Sequence, residues 1–206
     1  MVYRIAFIGA PCGGKTTILR RLVEPIRLLG FATYPVPEVA SLLISAGART
    51  QETAGQRMLQ FQRGTIRVQR AVEDSIVEIA TSENGPAVVL YDRCILDVAG
   101  FLETAAWHAV VRDIGLDPST LLQRYDLVLQ LDSVAGRGPD VYTNAHDVRR
   151  FESVDEAELV ESRLRTAWGG NPRVKVVSFR DDFEEKIGDA VTLVTAFLSS
   201  MKPAHQ

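Results

Sequence analysis

Short, continuous apolar runs alternate along this chain with longer stretches whose apolar positions recur every three or four residues. The first pattern is that of strands buried on both faces and the second that of amphipathic helices. Val2 to Ile8 reads as a strand. Residues 15–29 read as a helix closed by Gly30, with Pro25 predicting a kink or an early end. Residues 31–37 form a second strand, in which Pro35 and Pro37 suggest a sheet edge or an early end, and Val39 to Ala46 a short helix. From about Glu52 to Ser82 a long helix is predicted, its core face made by Met58, Phe61, Thr65, Val68, Val72, Ile76 and Ile79. Gln56, Gln60, Arg63, Arg67, Arg70 and Asp74 fall on another face, either solvated or meeting an anionic substrate.

Ala87 to Tyr91 is apolar throughout and ends in Asp92-Arg93. Residues 95–113 read as helical, and Asp117-Pro118 as the cap of a further short helix. Tyr125 to Leu131 is a fourth core strand, ending at Asp132. Residues 133–150 are polar and glycine-bearing, and are read as a lid. Ser153-Val154-Asp155-Glu156 is a capping box that opens a helix with Ala157, Val160, Leu164 and Trp168 on one face. Arg173 to Phe179 is the last strand. A final helix runs from about Asp182 to Ser199, with Phe183, Ile187, Val191, Val194 and Leu198 toward the core, before a loose tail. Strands alternating with helices predict an α/β fold: a mostly parallel sheet, helices on both faces, and one domain over residues 1–206. In such sheets ligands bind at the carboxyl ends of the strands, where Glu38, Asp92 and Asp132 all fall.

The stretch with the most specific chemistry joins the first strand to the first helix. Gly9-Ala10-Pro11-Cys12-Gly13-Gly14-Lys15-Thr16 fits G-x-x-x-x-G-K-[ST], the phosphate loop, in its required strand–loop–helix setting. Its glycines let successive N–H groups point at phosphate oxygens, and the helix start adds its positive end. Residues Gly9 through Thr17 are therefore the predicted nucleotide-binding set, with Lys15 on the terminal phosphates and Thr16 on Mg²⁺. Of the 23 basic residues only Lys15, Lys175, Lys186 and Lys202 are lysines, so a lysine in the loop is not the chain's default cation.

Composition narrows the rest. With 46% hydrophobic and 24% charged residues the chain is an ordinary globular protein, and a net charge of −3 argues against a general nucleic-acid binder. No apolar run is long enough to span a membrane, and the N-terminus enters a strand without a signal peptide, so a cytoplasmic protein is expected. Cys12 and Cys94 are read as small buried residues rather than a disulfide, and the three histidines make no metal-ligand spacing.

Asp92 has the form of a Walker B aspartate that would hold Mg²⁺, with Asp132 as its rival. Arg93 is suited to a phosphate or to a carboxylate such as Glu38. Glu38 is the candidate general base for an acceptor hydroxyl. Arg149 and Arg150, and less so Arg137, would stabilise the transferring phosphoryl group when a lid closes. Glu52-Thr53-Ala54-Gly55-Gln56 looks like a GTPase switch but follows no strand, and is read as a chance match.

Gly9–Thr16, Val36-Pro37-Glu38 and Tyr91-Asp92-Arg93-Cys94 together resemble the P-loop nucleoside and nucleotide kinases. Asp92-Arg93 with Asp97, Tyr142-Thr143-Asn144, Arg149-Arg150 with Glu152, and Trp168 resemble a small AAA-annotated P-loop group, which includes ribosylnicotinamide-kinase-like domains and the translocation defect protein 14 family. That resemblance implies a three-layer P-loop NTPase fold with sheet order 2-3-1-4-5, ATP or GTP with Mg²⁺ as cofactors, and Lys15, Glu38, Asp92, Arg93, Arg149 and Arg150 as catalytic residues. It implies a small-molecule acceptor as the partner and is compatible with a homodimer. Cys94 departs from the residue usual after Asp-Arg. A nucleotide-binding regulatory switch is the alternative function.

Overall fold

The computed structural model describes residues 1–11, 13–48, 55–133 and 153–201. Five strands, β1 (Val2–Ile8), β2 (Ala32–Val36), β3 (Ala87–Asp92), β4 (Leu127–Leu131) and β5 (Val174–Val177), form one parallel sheet in the order β2-β3-β1-β4-β5. This is the order that the kinase resemblance implies. The edge position of β2 agrees with its prolines, since an edge has an open side on which a missing N–H costs no ladder bond.

The strand period of two divides the core between the sheet's faces. Ile5, Phe7, Val88, Leu90, Leu127, Leu129 and Leu131 meet α1 (Lys15–Leu28) and α7 (Phe183–Met201) through Leu22, Ile26, Val194 and Leu198. Ala6, Ile8, Val89, Tyr91 and Val128 face the other way, into a core shared with α3 (Gln56–Ser82), a 3₁₀ segment (Ile95–Phe101), α4 (Thr104–Asp113) and α5 (Pro118–Leu122). A short α2 (Val39–Ser45) follows β2. The predicted capping box is present at Ser153 and Glu156 and opens α6 (Val154–Ala167). Tyr125, fully buried, stacks edge-on to Tyr91 and tilted against Trp168, tying β3, β4 and the end of α6 together.

Several expectations are corrected. Residues 95–113 are not one helix. The 3₁₀ segment ends at Phe101, and Leu102 and Glu103 are extended before α4. A Cβ on Gly100 would lie 3.0 Å from Leu164 Cγ, so α6 presses directly on this backbone. Pro25 neither ends nor shortens α1, because Leu22 and Ile26 anchor its last turns in the core. The last strand is shorter than residues 173–179.

The stripe of α3 is also displaced. Ile79 is 49% exposed, while Gln62, Thr65, Ile66, Gln69, Glu73 and Ala80 are buried. This helix packs partly on a polar turn, so its buried face carries polar side chains that an apolar count cannot find. Phe183 is another departure: it is partly exposed and lies on Gly14 of the phosphate loop.

Candidate active site

The phosphate loop owes its shape to glycine. Gly9 has φ 133°, and a Cβ there would sit 2.4 Å from the Leu131 carbonyl oxygen at the end of β4. No larger residue fits without moving the backbone. Gly14, the residue before α1, has φ 84°, and a Cβ there would meet the Phe183 ring at 2.6 Å. Ala10 and Pro11 are buried, whereas Thr16 and Thr17 are exposed; Cys12 lies outside the described residues.

Inside the loop, the buried Lys15 ammonium donates to the Gly9 carbonyl at 3.0 Å and to the Ala10 carbonyl at 2.7 Å. The Thr16 hydroxyl donates to Asp92 Oδ2 at the end of β3. A hydroxyl and a carboxylate oxygen in direct contact are hard donors of the kind that Mg²⁺ takes.

Arg93 makes the next turn with φ 76°, the one non-glycine residue in the left-handed region among those described. Its backbone is held from both sides. The Arg93 N–H donates to the Phe7 carbonyl, and its own carbonyl accepts from Gln69 Nε2 at 3.4 Å. Gln69 also donates to Glu73 at 2.9 Å. Glu73, 1% exposed, accepts from the Tyr125 hydroxyl at 2.8 Å and from Arg124 Nε at 2.6 Å. Burial pushes the Glu73 carboxyl up, and Arg124, Gln69 and Tyr125 oppose it.

The Arg93 side chain is a hub. Its Nε donates to Glu38, one terminal nitrogen donates to the Gly9 carbonyl at 3.1 Å, and the same nitrogen lies 3.7 Å from Asp97 Oδ2. The guanidinium carbon is 5.3 Å from the centre of the Phe101 ring. Burial alone would lower the Arg93 pKa; Glu38, Asp97 and Asp92 more than offset it, so the group stays charged. Glu38, at the start of α2, accepts from Ser41 with its second oxygen at 2.7 Å.

Asp97 is 2% exposed, and its Oδ2 has no hydrogen-bond donor. Burial raises its pKa to about 6 against the pull of Arg93 and Lys15. Its other oxygen accepts from the Cys94 thiol at 3.3 Å. Burial, with Asp97 beside it, pushes that thiol well up, so Cys94 is an inert buried thiol.

Of the sequence-predicted residues, the loop, Glu38, Asp92 and Arg93 come together at the carboxyl ends of β1, β2 and β3. Arg149 and Arg150, Arg137 and the rest of the predicted lid beyond Ser133 lie outside the described residues. Asp132 is directed elsewhere: its carboxylate pairs with Arg165. Arg63 pairs with Asp113 on α4.

Ser41, Gln69 and Lys186 were missed as contributors. Ser41 and Gln69 had no signal beyond their place on helices that follow β2 and precede β3. Lys186 did have one, as one of only four lysines, on a helix face otherwise apolar.

The comparisons accord with this geometry. A crystal structure of thymidylate kinase from Ehrlichia chaffeensis is similar over 96% of this chain and 98% of that one, with a TM-score of 0.62 and 14% identity. At that identity the likeness is one of fold, that of a P-loop kinase. No curated protein sequence matches. A family model described as an AAA domain matches residues 4–186, from β1 into α7, which is most of the chain. The chain therefore belongs to this AAA domain family.

Proposed function

We propose that the protein is a P-loop kinase that transfers the γ-phosphoryl group of ATP to a small nucleoside- or nucleotide-like acceptor. The observation that carries this reading is the bridge made by Arg93. One guanidinium binds both the Gly9 carbonyl of the phosphate loop and the Glu38 carboxylate, which sets a proton acceptor beside the place where phosphates bind. In the reaction the acceptor hydroxyl oxygen forms a bond to the γ-phosphorus, the bond from that phosphorus to the β–γ bridging oxygen breaks, and ADP leaves. The hydroxyl proton passes to Glu38. Lys15 turns from the loop carbonyls to the terminal phosphates. Thr16 and Asp92 would hold Mg²⁺, which when bound neutralises phosphate charge. Arg93 positions Glu38. Arg149 and Arg150 are assigned to the charge that develops on the equatorial oxygens.

A regulatory nucleotide-binding switch, using ATP or GTP without an acceptor, is the second reading. It is favoured by one feature of the same pair: both Glu38 oxygens already accept hydrogen bonds, from Arg93 and Ser41, as in a structural ion pair. A screen of nucleosides, nucleotides and pyridine ribosides for acceptor-dependent ADP release separates the two. The kinase reading expects at least one acceptor to raise the rate; release that none of them raises favours the switch.

A further inference from the structure

Lys186 on α7 is 3% exposed and plays no part in the chemistry described above. Its ammonium donates to two backbone carbonyls, that of Gly13 in the phosphate loop at 2.9 Å and that of Asp132 just beyond β4 at 2.6 Å. Burial lowers its pKa, and the nearby Asp132 and Glu161 carboxylates oppose that shift. A buried cation aimed at a loop carbonyl is costly unless it does something that a neutral residue could not.

The bond to Gly13 falls on the weakest point of the loop. Residues 13 and 14 are both glycine, so the peptide between them is the one that side-chain sterics restrain least. In a trans peptide the C=O and N–H point in opposite directions. Holding the Gly13 carbonyl toward α7 therefore fixes the Gly14 N–H away from α7. Two further carbonyls of the loop are held by cations as well: Gly9 by Lys15 and Arg93, and Ala10 by Lys15. Lys15 must leave its carbonyls to reach a phosphate, whereas Lys186 approaches from behind and has no reason to move. The first turn of α7 is braced on the same region by Phe183 against Gly14 and by Glu184 paired with Arg21 of α1 at 2.7 Å.

We propose that Lys186 is a positioning residue that locks the Gly13–Gly14 peptide so that the Gly14 N–H is presented to the phosphates of a bound nucleotide. The proposal rests on the reading of Gly9–Thr16 as a nucleotide site. Without the lock this peptide can flip and turn a carbonyl toward the phosphates, replacing a donor by a repelling dipole.

The test measures the affinity of the full chain for Mg-ATP and Mg-GTP in four proteins: wild type, Lys186→Met, Lys186→Gln as a milder break, and Ile187→Ala. Ile187 is a neighbouring core residue of α7, 5% exposed, whose truncation loosens the helix without touching the loop carbonyl. Lys186→Met is expected to weaken the preferred nucleotide about 10- to 100-fold, the range for one charge-assisted hydrogen bond lost, with Lys186→Gln between it and wild type. Ile187→Ala is expected to lower the melting temperature and leave the affinity near wild type. Either Lys186 variant binding as tightly as wild type overturns the proposal. So does an equal loss in Ile187→Ala, because the effect would then be general loosening. Wild type that binds neither nucleotide overturns the nucleotide reading itself, and the proposal with it.

Discussion

The phosphate loop and the Arg93 turn lie side by side at the carboxyl edge of the sheet, and they keep their shapes by opposite means. The loop is fixed by what is missing from it. At Gly9 a single added carbon would meet the Leu131 carbonyl, and the geometry follows from backbone sterics. The Arg93 turn is a strained, non-glycine residue fixed by what surrounds it: Phe7 on its N–H, Gln69 on its carbonyl, and Glu38, Asp97 and Phe101 around its side chain. Those partners come from four different segments: β1, α3, the start of α2 and the 3₁₀ segment. The first design makes a rigid cradle that any triphosphate can occupy. The second makes a buried electrostatic hub whose shape depends on many separate residues, suited to holding one carboxylate, Glu38, in one place.

The two designs should fail differently. The largest effect is expected at the loop, where Lys15→Ala should abolish the rise in melting temperature that Mg-nucleotide gives the wild type, by removing the loop's own phosphate cation. Thermal unfolding with and without Mg-ATP or Mg-GTP checks this, and an undiminished shift would contradict the phosphate-loop reading. Next comes the hub's support. Glu73→Ala leaves the Arg124 guanidinium and the Tyr125 hydroxyl without their buried acceptor. Denaturant unfolding should reveal a loss of about 3–5 kcal/mol, the usual cost of breaking a buried pair from one side. The surviving folded fraction should still respond to Mg-nucleotide, since the loop meets this network only through Arg93 at the Gly9 carbonyl and keeps its glycine geometry and Lys15.

Glu38→Gln is expected to keep nucleotide binding and to slow phosphoryl transfer by about 10²-fold, the scale of a lost general base. Loss of both together in binding and turnover assays would make Glu38 part of the scaffold. The smallest effect concerns Asp97. Its ordinary pKa is 3.8 and its native one about 6, raised first by burial. Between those values the native state holds a proton that the unfolded chain has released. Its contribution to stability is therefore complete below about pH 3.8 and is lost as pH rises through 6. Asp97→Asn should flatten the stability–pH curve in that window, measured by melting temperature across pH; a parallel shift of the whole curve would contradict the assignment.

This contrast also explains what could be read from the sequence. The strands and the loop were accessible because continuous apolar runs and a fixed glycine spacing are local signals, whereas the sheet order came only with the kinase resemblance. Glu38, Asp92 and Arg93 were found because strand ends could be counted. The hub's other partners were not, because Gln69 and Glu73 sit on a helix whose apolar residues suggested a stripe about one position away. Lys186 donates to a loop more than 170 positions earlier, and no spacing encodes that bond. Phe183 and the continuous helix over residues 95–113 were misread for a related reason: their neighbours, Gly14 and Leu164, come from distant segments.

The most direct test of the central claim is to follow the γ-phosphoryl group itself. Incubated with Mg-ATP labelled at the γ-position and the acceptor that most raises ADP release, the wild-type protein should place the label on that acceptor, with little appearing as free phosphate. Label recovered only as inorganic phosphate, at a rate no acceptor changes, would contradict the kinase reading and leave a nucleotide-hydrolysing switch.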